Sequence, residues 1–337
     1  MPNPDESCVS GVLTTDVLSA ETNTKQTQPA AGASWVLNAE DNAEIDRGLT
    51  DSRGRFKACN SDGKIATANM EFSAQRDSLW KVVQPKTTDQ VYSFSTGEFA
   101  VDDKTADLGN IAVPARMGGA FVISSAASKL YALRATDSPC WTKHQASLND
   151  CHSVVVTWAD DVPDEDGGYW DKGHTGHVIL SGTDARSQYV IVHEVGHWWQ
   201  NELYDGEFPE VTDCNPHYID APSSPSCAWT EGFADAVAGW VLGEPHFVAS
   251  DGQKTPFVPE DSTAWPGGDR TQGNVAASLI DLWDLDSQDG TWAANVKLMS
   301  AEVDADFRSH FSNSRSLTGL TTTGEALAIV RKHGIDY

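Results

Sequence analysis

Two histidines four residues apart, His193 and His197, enclose Glu194 in the segment His193-Glu194-Val195-Gly196-His197. On a helix, residues four apart project from the same face, so two imidazoles can hold one ion. Glu194 falls beside that face, within reach of a water on the ion. Zinc lowers the pKa of such a water to about 7, and a neighbouring carboxylate then takes its proton as the oxygen attacks a carbonyl. The pattern HExxH alone is a hypothesis, and its surroundings decide it. Here Val192, Val195, Trp199 and Leu203 recur at helical spacing. The motif therefore sits on an amphipathic helix expected over about 184–203, opened by Gly182-Thr183-Asp184.

A third ligand is available in Trp229-Thr-Glu-Gly-Phe-Ala-Asp235. Glu231 and Asp235 share one face of a second helix expected over about 229–242, opposite Phe233, Val237 and Trp240. Such a helix can bury one side and bring Glu231 to the ion. Asp235 can then accept a hydrogen bond from a ligand imidazole and fix its tautomer. Two His, one Glu and one water make an open, catalytic zinc site rather than a closed structural one. Rival third ligands are His174, His177, Asp213 and His217. His217 also competes with Tyr204 and Tyr218 to donate to the oxyanion of a tetrahedral intermediate.

The pair formed by His193–His197 and Glu231-Gly-Phe-Ala-Asp235 resembles the gluzincin metallopeptidases, the thermolysin-like branch of the zincins, which use HExxH and a downstream ExxxD. Cys214-Asn-Pro-His217 and Cys227-Ala-Trp-Thr-Glu-Gly232 resemble a group of secreted bacterial peptidases. The resemblance covers roughly residues 120–285. It implies a zincin-like catalytic domain, peptide-bond hydrolysis, a single catalytic Zn2+ on His193, His197 and Glu231, Glu194 as general base, and a protein or peptide substrate. Three features depart from it. The interval from His197 to Glu231 is longer than in thermolysin, a difference that a disulfide loop at 214–227 could absorb. Gln200 and Leu203 stand where the metzincins place Gly and His, and there is no GxMxN segment of an aminopeptidase.

The elements that position these residues give an α+β fold. Residues 1–108 form a β-rich N-terminal region, with Val91–Ser95 and Glu98–Val101 patterned as a hairpin around Thr96-Gly97. Residues 109–337 form the catalytic part with a mainly helical C-terminal half. Ser124 and Ser125 precede a helical stretch bearing Ala126, Leu130 and Leu133. Ser153–Trp158 is a buried strand, 159–176 an acidic loop, and 177–180 an edge strand able to pair with an extended substrate. Further helices are expected over 272–285 and 323–333, the latter with Thr322 and Glu325 as a capping box and Gly334 as its stop. The active site should lie in the cleft between the parts carried by the two motif helices.

Composition excludes some functions. The 337 residues carry 49 acidic and 23 basic side chains, a formal net charge of −26. Nucleic acid and anionic membrane surfaces are poor partners for such a chain, and no stretch approaches the roughly 20 apolar residues of a membrane span. The six cysteines include no CxxC, and two pairs are close in sequence, Cys140 with Cys151 and Cys214 with Cys227. They read as three disulfides formed in an oxidising compartment. The first residues do not form a signal peptide, so the expectation is a secreted protein in its mature form. Asp281, Asp284, Asp286 and Asp289 could offer oxygens to Ca2+. Their spacing fits no EF-hand and favours solvated charges at a helix end. Nothing in the sequence fixes an oligomeric state. Two other functions stay open: a binding or adhesion protein on a zincin scaffold, against which the intact Glu194 argues, and a zinc hydrolase of a non-peptide bond.

Overall fold

The computed structural model describes residues 6–61, 63–85, 90–101, 104–162, 168–174, 176–285 and 292–337. The first third of the chain is two facing sheets. In one, the long strand Ser7–Leu18 runs parallel to Thr105–Ala112 on one side. On the other it pairs antiparallel with Lys25–Pro29 and Arg55–Asn60. In the second, Ser34–Ala39 lies between Glu44–Leu49 and Ile65–Ser73. Alternation along these strands sends Val9, Leu13, Trp35, Leu37, Phe56, Met70 and Phe72 into the space between the sheets. Cys8 and Cys59, directly opposite each other in the first sheet, are joined by a disulfide. The expected hairpin at 91–101 is absent. Ser93–Ser95 and Phe99–Val101 both pair with Ile65–Ser73, so Thr96-Gly97 interrupts one line of chain rather than turning it back. Thr96 stays on that line, its backbone N–H donating to the Met70 carbonyl.

The sheet behind the motif helices has the order Gln75–Arg76, Trp80–Val83, Val154–Thr157, His177–Ile179, Tyr169–Asp171. Its three inner strands are parallel and its two outer ones antiparallel. Two strands of this sheet, Gln75–Arg76 and Trp80–Val83, come from within residues 1–108. The strand order corrects the expected edge. His177–Ile179 is covered on both sides, and among the described residues Tyr169–Asp171 is the edge strand beside it.

Helix α1 (Gly118–Ala132) starts six residues before Ser124. Ser124 and Ser125 cap nothing: Ser124 accepts the Trp80 indole N–H at 2.9 Å, and Ser125 donates back to Phe121 O at 2.8 Å. Leu133, expected on the buried face, lies past the helix end and is exposed. A 3-10 turn at Asp184–Arg186 precedes α2 (Gln188–Leu203). Ser187 caps α2 by accepting Val190 N–H at 3.2 Å. Packed among α1, the sheet and its later neighbours, α2 is buried at every position from Tyr189 to Leu203, not along a single stripe.

α3 (Pro225–Leu242) begins earlier than expected. Ser224 accepts Cys227 N–H at 3.0 Å, Pro225 fits the first turn, and Gly243 stops the helix at φ 71°. α4 (Gln272–Trp283) follows the short hairpin His246–Val248 and Lys254–Pro256. Then come α5 (Trp292–Met299), α6 (Arg315–Leu317) and α7 (Gly324–Lys332). Thr323, whose side chain makes no capping bond to the helix, is the residue at the start of α7, so the Thr322–Glu325 box does not form. Gly334 ends that helix at φ 72°. Cys140–Cys151 and Cys214–Cys227, the two pairs close in sequence, are disulfides. Among the described residues no helix is long and apolar enough to cross a membrane.

Candidate metal centre

α2 and α3 cross closely at Gly196, whose missing side chain faces Ala234. The crossing brings His193 and His197 opposite Glu231. The two Nε2 atoms are 3.1 Å apart, and Glu231 Oε2 lies 3.2 Å from His193 Nε2 and 3.3 Å from His197 Nε2. Three electron-pair donors thus converge on one point. Ligands on a tetrahedron with bonds of about 2.05 Å would stand about 3.3 Å apart. The donor set therefore fits a zinc-sized cation. His193, Glu194 and His197 are 5%, 8% and 8% exposed.

Asp235, fully buried, holds His193 from behind. Its Oδ1 is 2.9 Å from His193 Nδ1, an approach close but off the line of a straight hydrogen bond. A carboxylate only accepts, so Nδ1 carries the proton and Nε2 keeps its lone pair for the cleft. Tyr189 donates to Asp235 O at 2.8 Å and to Oδ1 at 3.3 Å. Gln272, at the start of α4, donates from Nε2 to Asp235 Oδ2 at 3.0 Å. Its orientation is thereby fixed, and Oε1 faces His217 Nδ1 at 3.0 Å. His217 therefore carries its proton on Nδ1 toward Gln272. α4 comes this close because residue 232 is glycine: a Cβ there would sit 2.8 Å from Val275 side-chain atoms and 2.9 Å from Gln272 O.

The electrostatics follow from burial against charge. Burial raises the pKa of the Glu194 carboxyl, with the two histidines opposing it. Burial would also raise Glu231, but His197 and His193 outweigh it and hold that carboxyl well below its usual range. For His193, burial lowers the pKa, yet Asp235 and Glu231 overcome it and hold the imidazole well above its ordinary value.

The structure brings His193, Glu194, His197, Glu231, Asp235 and His217 together. His217 Nδ1 is 3.7 Å from Glu231 Oε2. The rival ligands lie apart: His174 pairs with Asp171 at 2.8 Å, His177 is on an inner strand, and Asp213 is exposed. Tyr204 is buried near Asp304, whereas Tyr218 lines the cleft. Among the described residues two other groups have ligand-like spacing. Cys8 and Cys59 of one are spent in a disulfide, and Glu21 of the other is bound to Lys254 at 2.8 Å. Of the candidate calcium residues, Asp281 is taken up by Lys332 and His333, each at 2.8 Å, while Asp286 and Asp289 fall outside the described residues.

Sequence reasoning missed Gln272 and Asp184. A buried carboxylate with two oxygens to satisfy, Asp235, was the signal for the first. Asp184, buried near Glu194, accepts Ser181 N–H at 2.7 Å and the Ser250 hydroxyl.

Residues 134–334 match the mycolysin C-terminal domain, and residues 8–120 match the mycolysin middle domain. The chain belongs to the mycolysin family. The mycolysin family is a protease-related one, and its two domains here suggest a peptidase-associated function. No curated protein matches it. Among solved structures, a 9R-lipoxygenase from Cyanothece PCC8801 aligns at 17% identity and TM-score 0.21, over 40% of this chain and 24% of its own. Klebsiella pneumoniae 5-hydroxyisourate hydrolase aligns at 18% identity and TM-score 0.18, over 32% of this chain and 90% of its own. The chain thus spans about a quarter of the lipoxygenase's length. Neither likeness carries an argument about this member of the mycolysin family.

Proposed function

We propose that this chain is a zinc-dependent peptidase of the gluzincin type, secreted and probing protein or peptide substrates. The observation that carries the reading is the convergence of His193 Nε2, His197 Nε2 and Glu231 Oε2 at separations of 3.1–3.3 Å beside Glu194. A zinc ion on these three residues supplies a Lewis acid that acidifies water and polarises a carbonyl. Glu194 takes the proton of the attacking water and returns it to the leaving amine. Its burial lifts its pKa toward the range a general base needs. Asp235 holds the His193 tautomer. His217, with Nδ1–H spent on Gln272, has Nε2 left to serve the developing oxyanion in its protonated form. Tyr169–Asp171, next to Gly168 at the cleft, offers an edge that is unpaired among the described residues and along which an extended peptide can lie. We take the catalytic unit to be residues 109–337 together with the strands at 75–83. Three disulfides support an oxidising compartment and hence secretion.

The test is elemental analysis of the purified protein and of a Glu231→Ala variant, with casein cleavage assayed on both. About one zinc per chain, lost or weakened in the variant together with cleavage, is the expected result. Folded protein that takes up no zinc would overturn the reading. Full zinc with no cleavage of any protein or peptide would replace it with a binding role.

A further inference from the structure

Two cavities meet at the metal centre. Gly168, His193, Glu194 and His217 form part of the wall of both. A chain lying across this wall would place one side chain in each cavity.

The cavities differ in chemistry. The first, of about 680 Å³, has an apolar wall of Val190, Ile219 and Phe247, with Asp220 and Asp251, the latter accepting Gln253 N–H at 2.8 Å, also on its lining. Both aspartates are exposed. No Lys or Arg is among its described lining residues. Lys254, on the same hairpin as Asp251, is held by Glu21 at 2.8 Å and does not line the cavity. The second, of about 510 Å³, is aromatic: Trp170 and Phe208 pack edge to face with centroids 4.8 Å apart, beside Tyr169 and Val211. Lys172 sits 5.2 Å over the Phe208 ring and donates to Pro209 O at 3.2 Å, so its charge is already engaged.

We propose that the cleft selects peptides with a long basic side chain on one side of the scissile bond, in the Asp220–Asp251 cavity, and an aromatic side chain on the other, against Trp170 and Phe208. This rests on the peptidase reading above. An Arg or Lys stem covers Val190, Ile219 and Phe247 while its charged end stays wet between the carboxylates. A Glu in the same place meets Asp220, Asp251 and Glu194 and is repelled. Exposed pairs are individually weak, so two of them give about 2- to 30-fold discrimination, decreasing with salt.

The experiment uses the zinc-loaded protein with fluorogenic peptides that hold Phe on one side of a single scissile bond and Arg, Met or Glu on the other, in both orientations. One orientation should give Arg over Glu by about 10-fold in kcat/KM, with Met between. An Asp220→Asn/Asp251→Asn double variant should bring the Arg-to-Glu ratio near one. A parallel arm measures binding of the same peptides to Glu194→Gln by calorimetry, and this arm reads the pocket even if nothing is cleaved. Cleavage without charge preference, or a preference that survives the double variant, would overturn the proposal while leaving the peptidase reading standing. Absence of cleavage with charge-selective, aspartate-dependent binding would sustain the pocket and overturn the peptidase.

Discussion

Replacing Asp235 by Asn keeps the size of a fully buried side chain and changes only what its oxygens can do. Asp235 faces hydrogen on every side: Tyr189 O–H and His193 Nδ1 at Oδ1, and Gln272 Nε2 at Oδ2. An Asn must present its NH₂ to one of these donors. Turned toward Gln272, it is accommodated if that amide flips, which then offers Nε2 to His217 and inverts the tautomer there. Turned toward His193, it favours a proton on Nε2, the nitrogen that faces Glu231. Either way the negative charge behind the imidazole is gone. Loss of such a hydrogen-bond partner costs a metal site about 10- to 100-fold in affinity, or about 1.4–2.7 kcal/mol. The assay is zinc competition against a chromophoric chelator at fixed pH, run beside thermal unfolding to show that the variant is folded. The expected zinc dissociation constant rises at least tenfold. A folded variant that binds zinc as tightly as the parent would refute the argument that Asp235 orients His193.

Three further outcomes follow. Gly232→Val places a side chain where Val275 and Gln272 O already lie, so α4 must move; the variant should lose about 1–3 kcal/mol in denaturant unfolding. Converting Cys214 and Cys227 to Ser opens a loop of 13 residues that carries His217; chain entropy sets the loss at about 3 kcal/mol, read as a lower Tm. Asp281 is held at about 2 by His333, with Lys332 adding to the effect. Its folded pKa is depressed, so its stabilisation is present above about 4 and is lost as pH falls toward 2. Half-exposure discounts it to about 1 kcal/mol. Asp281→Asn should therefore lower Tm at pH 7 and narrow its gap to the parent at pH 2.5; a constant gap would count against the ion pair.

What the sequence disclosed about the site is local geometry. His193 and His197, and Glu231 and Asp235, each depend on four-residue helical spacing, which any reader of the chain can see. The spacing cannot say which helix faces which, and the α2–α3 crossing at Gly196 supplied that. Gln272 stayed hidden because a polar residue opening a helix looks like any other; only the approach of α4 over Gly232 makes it a partner of Asp235 and His217. Strand order was harder still. The pattern of His177–Ile179 suits an edge or an inner position equally, and the antiparallel return of Tyr169–Asp171 decides between them. α2 looked amphipathic because its polar face carries the motif, yet that face is enclosed by α3 and the cleft walls.

The strand Trp80–Val83 has a consequence for how the molecule is made. It leaves the ribosome about 70 residues before its partner Val154–Thr157. During that interval its open edge lacks Val154–Thr157, although α1, made earlier, already brings Ser124 to the Trp80 indole. The first sandwich can close early through Cys8 and Cys59, with one strand edge still waiting. Vectorial synthesis of this protein thus passes through a stage with that edge open, and the two family domains are coupled in assembly because a strand of one pairs with a strand of the other.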